Sequence, residues 1–316
     1  MRRLLRQLTR FEIDNRDGWD DVIMKLVLKV SNSIQILDGM DVMQVVKIKE
    51  IPGGTAQDTL YINGVVCTKN LAHKQMSRTL VNPRILILRF ALEYQRVENH
   101  FISLESIVNQ EKEYLQHLVA RIVALSPHLI VVEKTVSRLA LELLLKQNVT
   151  MAYNVKPEVT DAIAYSTGAD IILSFDKLVK EPRLGTCGSF EVKTFVHDLI
   201  PNKRKSYMFF QDCPSNLFCS LVLRGGSLET LNRIKKVVHL MVWVTYNLRL
   251  ETSLMNDQFA MTSAVRESQL VEEESVGLRY RSTAGDVKAL QANNFVRFAV
   301  CQVWSTLLVD SNVPGR

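Results

Sequence analysis

The chain has 316 residues, a net charge of +6 and a pI near 9.0. Hydrophobic residues make up 47% and charged residues 23%, the composition of a soluble globular protein long enough for two domains and a sizeable core. No apolar run approaches the ~20 residues of a membrane-crossing helix, and the positive surplus permits attraction to anionic membranes or nucleic acid without identifying either.

The opening ten residues set leucines at helical spacing among arginines, which predicts an amphipathic first helix. A mitochondrial presequence looks similar, but Glu12, Asp14 and Asp17 follow at once and argue against it. Apolar residues at 19, 22, 23, 26, 27, 30 and 34 predict a helix over 19–37 with one buried face. Over 45–51 the pattern alternates, with Val46, Ile48 and Glu50 on one face and Lys47 and Lys49 on the other, until Pro52-Gly53-Gly54 stops it. Residues 60–67 read as another strand interrupted by the turn pair Asn63-Gly64. These strands are expected to form a small sheet leading into the main body.

From Asn82-Pro83 onward, strands and helices alternate. A buried strand is predicted over 85–90, apolar apart from Arg89. A helix over 104–125 follows, with Ile107, Val108, Leu115, Leu118, Val119, Ile122 and Val123 on its inner stripe and Glu111, Lys112 and Glu113 on the other side. Then come a strand over 129–132, a helix over 136–146, a strand over 150–154, a helix over 157–166 and a strand over 170–173. Such alternation implies parallel strands with helices on the sheet faces. Gly168 is read as the C-terminal cap of the last of these helices. Strands over 190–196, 206–210 and 219–223 are expected to pair as an antiparallel layer, with Lys203, Arg204 and Lys205, the one compact basic triplet, on a hairpin tip.

Residues 220–227 join an apolar strand to Arg224, Gly225 and Gly226 and then to a long helix over 227–249. We read the glycine pair as a hinge turn able to take positive φ, with Ser227 capping the helix and Glu229 favoured in its first turn. A phosphate loop would need more glycines and a lysine. On that helix Trp243 and Tyr246 extend the apolar stripe toward a second layer or a partner, core packing being the preferred reading. Beyond Met261 the periodicity fades, and residues 262–291 are read as a mobile linker.

Catalytic signatures are missing. The histidines at 73, 100, 117, 128, 197 and 239 lack the paired spacing of a metal site on one helix. No Gly-x-Ser-x-Gly elbow, Walker loop or dinucleotide fingerprint occurs. The five cysteines are scattered without a Cys-x-x-Cys pair, which suits free, buried thiols in a reducing compartment. Glu133-Lys134-Thr135 ends a strand where open α/β folds place functional groups, although a plain surface pair is the simpler reading. No aromatic ladder accompanies the basic triplet, so nucleic-acid binding is not expected, and lipid binding through it rests on charge alone.

Taken in order, several segments resemble the chaperonin-like domain of the phosphatidylinositol-3-phosphate 5-kinases. They are Gly64-Val-Val-Cys-Thr-Lys69, Asn82-Pro-Arg-Ile-Leu-Ile-Leu88, Leu92-Glu-Tyr94, Gln110-Glu-Lys-Glu-Tyr114, Val132-Glu-Lys-Thr-Val-Ser-Arg138, Leu184-Gly-Thr-Cys187, Phe209-Phe-Gln-Asp-Cys-Pro214 and Leu223-Arg-Gly-Gly226. The resemblance covers residues 45–260 and implies an α/β fold: a group II chaperonin apical-domain-like body over about 82–225, with intermediate-domain-like flanking helices and a small β layer. Residues 1–44 are then an N-terminal helical flank, and 261–316 a linker and unassigned tail in which residues 295–298 begin a further family segment.

In folding chaperonins the helix after the Arg-Gly-Gly turn carries an aspartate that positions water for ATP hydrolysis. By the resemblance that position is Leu240, beside His239, and a leucine cannot orient water. The chaperonin phosphate loop, the kinase motifs and the cysteine pairs of the lipid-kinase family's zinc finger are missing as well. The resemblance therefore implies a non-catalytic regulatory domain without its own cofactor. ATP and magnesium enter only if a kinase domain lies beyond Arg316, and an ATP-driven folding chaperonin is the remote alternative. The implied partners are a helical-repeat scaffold protein and its associated phosphoinositide phosphatase, with peripheral association on endosomal or vacuolar membranes through that complex. The helix faces around Glu111 and Glu113 are the candidate docking surface.

Overall fold

The computed structural model describes residues 1–12, 19–34, 41–94, 104–179, 181–196 and 204–259. The expected linker over 262–291, the segment 295–298, the tail with Cys301, and His100, His197 and Lys203 lie outside them. The chain divides into two compact units, Met1–Thr245 and Tyr246–Arg316.

Within the first unit, three sheets are organised around one strand whose central four residues are aromatic or apolar without a break. The strand β11 (Arg204–Gln211) runs through Tyr207, Met208, Phe209 and Phe210, all buried. Side chains alternate across a strand, so both of its faces need cover. Met208 and Phe210 join the large core, whereas Tyr207 and Phe209 join a second cluster with Ile51, Ile62, Val66 and Val222. The strand thus belongs to a middle layer. Its sheet has the order β3-β11-β10-β4, where β3 is Val66–Cys67, β4 is Thr79–Val81 and β10 is Ser189–Val196.

On one side lies the α/β body. Its strands β5 (Arg84–Leu88), β6 (Leu129–Val132), β7 (Thr150–Ala152) and β8 (Ile171–Ile172) are parallel in the order β7-β6-β5-β8, and β9 (Gly185–Thr186) adds an antiparallel pairing to β5. The helices α4 (Leu104–Ala124), α5 (Arg138–Lys146) and α6 (Pro157–Thr167) alternate with these strands in the chain, as the apolar runs predict. Gly168 ends α6 at φ 71°, the left-handed cap expected of it.

On the other side, β1 (Val46–Glu50), β12 (Cys219–Leu223) and β2 (Leu60–Asn63) make a three-stranded sheet in the order β1-β12-β2. It is associated with α1 (Arg2–Glu12), α2 (Trp19–Ser33), the short α3 (Val42–Val45) and α7 (Leu228–Phe259). Ile23, Val27 and Val30 of α2, with Leu231, Ile234, Val238 and Met241 of α7, are fully buried. Ser33 and Tyr61 join their hydroxyls at 2.6 Å, fastening α2 to β2.

Four expectations change. The run 60–67 does not build one sheet with 45–51. Its halves enter different sheets because Gly64 turns at φ 138° so close to Phe210 that an added Cβ would meet that residue's carbonyl oxygen at 2.2 Å. Nor does 219–223 extend the antiparallel layer of β10 and β11; it crosses to lie parallel to β1 and antiparallel to β2. The hydroxyl of fully buried Ser220 sits at this crossing, donating to Gly64 O at 2.9 Å and accepting from Val66 N at 3.0 Å. Finally, Val108 is not on the inner stripe of α4 but 52% exposed. A helix of 21 residues is ~30 Å long and overhangs strands of four or five residues, ~15 Å. The last helix also runs past the expected position 249, to Phe259.

Candidate functional site

Three places bring chemistry-bearing residues together. The first is the turn of Arg224, Gly225 and Gly226 between β12 and α7. Only Gly225 takes positive φ, 105°, because Gly226 already leads into the helix. Ser227 accepts from the Thr230 amide at 3.3 Å, the predicted cap, and Glu229 pairs with Arg233 one turn on. The turn is fastened to the other glycine turn of the sheet: the Gly53 amide donates to Gly226 O at 3.4 Å and the Gly225 amide to Gly53 O at 3.3 Å. Thr59 donates its hydroxyl to Arg224 O and accepts from Arg224 N, both at 3.3 Å. The Arg224 guanidinium lies 4.8 Å from the centre of the Phe195 ring.

About two to three helical turns into α7 lie Lys235, His239 and Leu240. Leu240 is half-buried and apolar. His239 places Nδ1 3.0 Å from the Met43 sulfur. Burial holds its imidazole below the ordinary value of 6.5, reinforced by Lys235 and Lys47 and opposed by Glu50. Lys235 pairs with Glu50 at 2.7 Å.

The second place is the C-terminal edge of the parallel sheet. Glu133 does not pair with Lys134, its sequence neighbour. It accepts instead from Arg89 Nε at 2.8 Å, and Arg89 also binds Asp161 on α6. Glu133 is 14% exposed and Asp161 43%, so the Glu133 pairing matters more: a shielded carboxylate without its cation is costly, whereas an exposed pair contributes under ~1 kcal/mol. All three groups satisfy one another, which makes this a structural latch between β5, β6 and α6. The signal was Arg89 breaking an apolar run.

The third place is the paired α4 and α5. Glu113 is exposed and Glu111 half-buried. Two turns on, Ala120 and Ala124 form an exposed low ridge between two shallow depressions. One, about 570 Å³, is lined by His117, Arg121 and Phe175, and the other, about 400 Å³, by Val119, Val123 and Leu143. Arg121 stacks over Phe175 at 5.0 Å.

Among the described residues no group of three or more His, Cys, Asp or Glu is placed to hold a metal ion, and no helix is long and apolar enough to cross a membrane. Burial pushes the thiols of Cys67, Cys187, Cys213 and Cys219 up to about 12, far from the thiolate a nucleophile needs.

The turn geometry separates the two glycines. Gly225→Ala would place a Cβ 2.3 Å from Ala56 N at a φ of 105°, and we expect it to cost ~3 kcal/mol or more. Gly226→Ala meets only the Thr230 side chain at 3.5 Å and should stay within ~0.5 kcal/mol; urea denaturation of both variants checks this. For His239, the depressed folded pKa means that the unfolded chain takes the proton first. Its contribution is therefore present above pH 6.5 and lost as the pH falls through the lower folded value. His239→Gln should flatten the decline in melting temperature between neutral and mildly acidic buffer, and an unchanged slope would contradict the assignment.

The TCP-1/cpn60 chaperonin family pattern matches residues 2–255. The 1-phosphatidylinositol 3-phosphate 5-kinase of Mus musculus is 42% identical over 275 residues, 85% of this chain and 13% of that protein. The corresponding kinase of Saccharomyces cerevisiae is 42% identical over 268 residues, 83% of this chain and 12% of its own length. The chain thus spans about an eighth of these curated relatives. Among solved structures, the open-state monomer of a group II chaperonin from Methanococcoides burtonii superposes with a TM-score of 0.56 at 19% identity, over 78% of this chain and 57% of that one. The layered α/β body, its flanking helices and the family match agree: the chain belongs to the TCP-1/cpn60 chaperonin family, and over that region it is similar to a part of the 1-phosphatidylinositol 3-phosphate 5-kinases.

Proposed function

We propose that this chain is the non-catalytic regulatory domain of a phosphatidylinositol-3-phosphate 5-kinase. It docks the enzyme onto a helical-repeat scaffold protein and the associated phosphoinositide phosphatase, and so supports synthesis of phosphatidylinositol 3,5-bisphosphate on endosomal or vacuolar membranes. The observation that carries this reading is the α4–α5 surface. Ala120 and Ala124 are small enough to let another helix approach closely, and the depressions beside them receive its larger side chains. A solenoid presents rows of such helices. Glu111 and Glu113, at the N-terminal side of this face, set the polar rim that fixes register.

In this reading Leu240 occupies the place of the chaperonin water-orienting acid, and the turn of Arg224, Gly225 and Gly226 is the joint between the sheet and α7. ATP, magnesium and the phosphoryl transfer belong to a separate kinase domain.

Glu111→Lys with Glu113→Lys should weaken binding to the scaffold about tenfold, as rim charges set orientation and encounter. Calorimetry on the purified proteins measures it, with circular dichroism confirming the fold, and unchanged affinity removes this face. The chain itself should release no phosphate from ATP above blank, and Leu240→Asp should leave that unchanged, because an acid alone supplies neither nucleotide nor metal binding. Steady turnover by either protein would overturn the non-catalytic reading.

A further inference from the structure

The hairpin of β10 and β11 outruns the sheet that holds it. The two strands pair from Ser189 with Gln211 to Val196 with Arg204. Among the described residues, β4 pairs with β10 only over Ser189, Phe190 and Glu191, and β3 with β11 only at Met208 and Phe209. The outer rungs, Lys193 with Tyr207, Thr194 with Ser206, Phe195 with Lys205 and Val196 with Arg204, therefore form a ribbon two strands wide.

Opposed residues share a face, and successive rungs alternate between faces. On one face the large core ends with Val192 and Met208, both buried. The next rung on that face joins the Thr194 and Ser206 hydroxyls at 3.0 Å. Beyond this polar rung the face turns apolar again: Val196 is 62% exposed, and exposed Arg204 stands directly opposite it. The hydroxyl pair separates this valine from the core, so core packing does not account for it.

The other face is a layer of cations on rings. Lys193 lies 5.5 Å from the Phe209 ring, Lys205 5.7 Å from Tyr207 and Arg224 4.8 Å from Phe195, and the Phe195 and Tyr207 rings meet edge to face at 5.8 Å. Glu191 neutralises Lys193 at 2.7 Å, and Asp58 flanks Gly54 together with the Arg224 guanidinium. Among the described residues no carboxylate pairs with Arg204 or Lys205. The end of the ribbon thus holds one surplus cation on each face, each opposite an apolar side chain: Arg204 opposite Val196, and Lys205 opposite half-buried Phe195.

A single-stranded nucleic acid would use ring faces for stacking, but Tyr207 and Phe209 are only 3% and 2% exposed. An anionic bilayer matches both halves of the arrangement. Its phosphates take the charged heads, and its interface takes the apolar side chains beside them.

We propose that the outer two rungs of the ribbon, Phe195 with Lys205 and Val196 with Arg204, rest on an anionic membrane surface. This goes beyond the docking reading, in which the membrane is reached through partner proteins, and it does not involve the α4–α5 face.

Flotation of the full chain with phosphatidylcholine vesicles, with and without phosphatidylserine, tests it. Binding should require the anionic lipid and weaken as salt is added. Arg204→Gln with Lys205→Gln should lower it about tenfold or more. Lys25→Gln with Lys74→Gln removes the same charge from exposed positions elsewhere and should stay within about twofold. Val196→Ser should lower it severalfold at unchanged net charge, with circular dichroism confirming that each variant is folded. Binding without the anionic lipid, equal losses in the two double variants, or an unaffected Val196→Ser variant would overturn the proposal. So would a single-stranded oligonucleotide that binds through Arg204 and Lys205 while the vesicles do not.

Discussion

The hydroxyl of Ser220 holds the architecture at its crossing point. Three sheets can stack in one unit only if the chain passes from the outer sheet into the middle one and back. Each passage leaves backbone groups away from water, where an unpaired donor or acceptor costs ~1–3 kcal/mol. Ser220, on the returning strand, satisfies both Gly64 O and Val66 N on the outgoing one. Phe210 N donates to Val65 O at 2.9 Å, and the Asn63 side chain donates to Asn216 Oδ1 at 3.0 Å, closing the same junction. The outgoing and returning chains are thereby bound to each other, and everything between them behaves as an inserted body.

This junction explains the position of the other features. With the body anchored at one end, the parallel sheet and its helices carry the α4–α5 face outward, where Ala120 and Ala124 remain uncovered. The Arg89, Glu133 and Asp161 latch keeps that body internally rigid. On the opposite side, the reciprocal bonds between the turns at Gly53 and Gly225 fix the start of α7, and with it the position of Lys235 against Glu50.

Much of this was legible in the residues. The 3.6 period of α2 and α4, the continuous apolar strands β5 and β6, the Gly168 cap and the Ser227 cap each follow from local chemistry. Sheet membership was less so. Residues 60–67 and 219–223 are good strands in any partner's company, and their pairing depended on a steric contact between Gly64 and Phe210, 146 positions apart. The Val108 exposure depended on how far α4 outruns the short strands it covers. Glu133 looked paired with Lys134 because adjacent residues are all a sequence displays, whereas side chains at a strand end project to opposite sides.

The sequence by itself determined the elements, the α/β class of the body and the capped glycine turn, since each is set by residue type and short-range spacing. Only the tertiary structure decided which strands share a sheet, that Gly225 and not Gly226 carries the strained turn, and that Lys235 of α7 meets Glu50 of β1. Those outcomes rest on contacts between residues far apart in the chain. Periodicity and propensity do not encode such contacts, because they arise only when the layers pack.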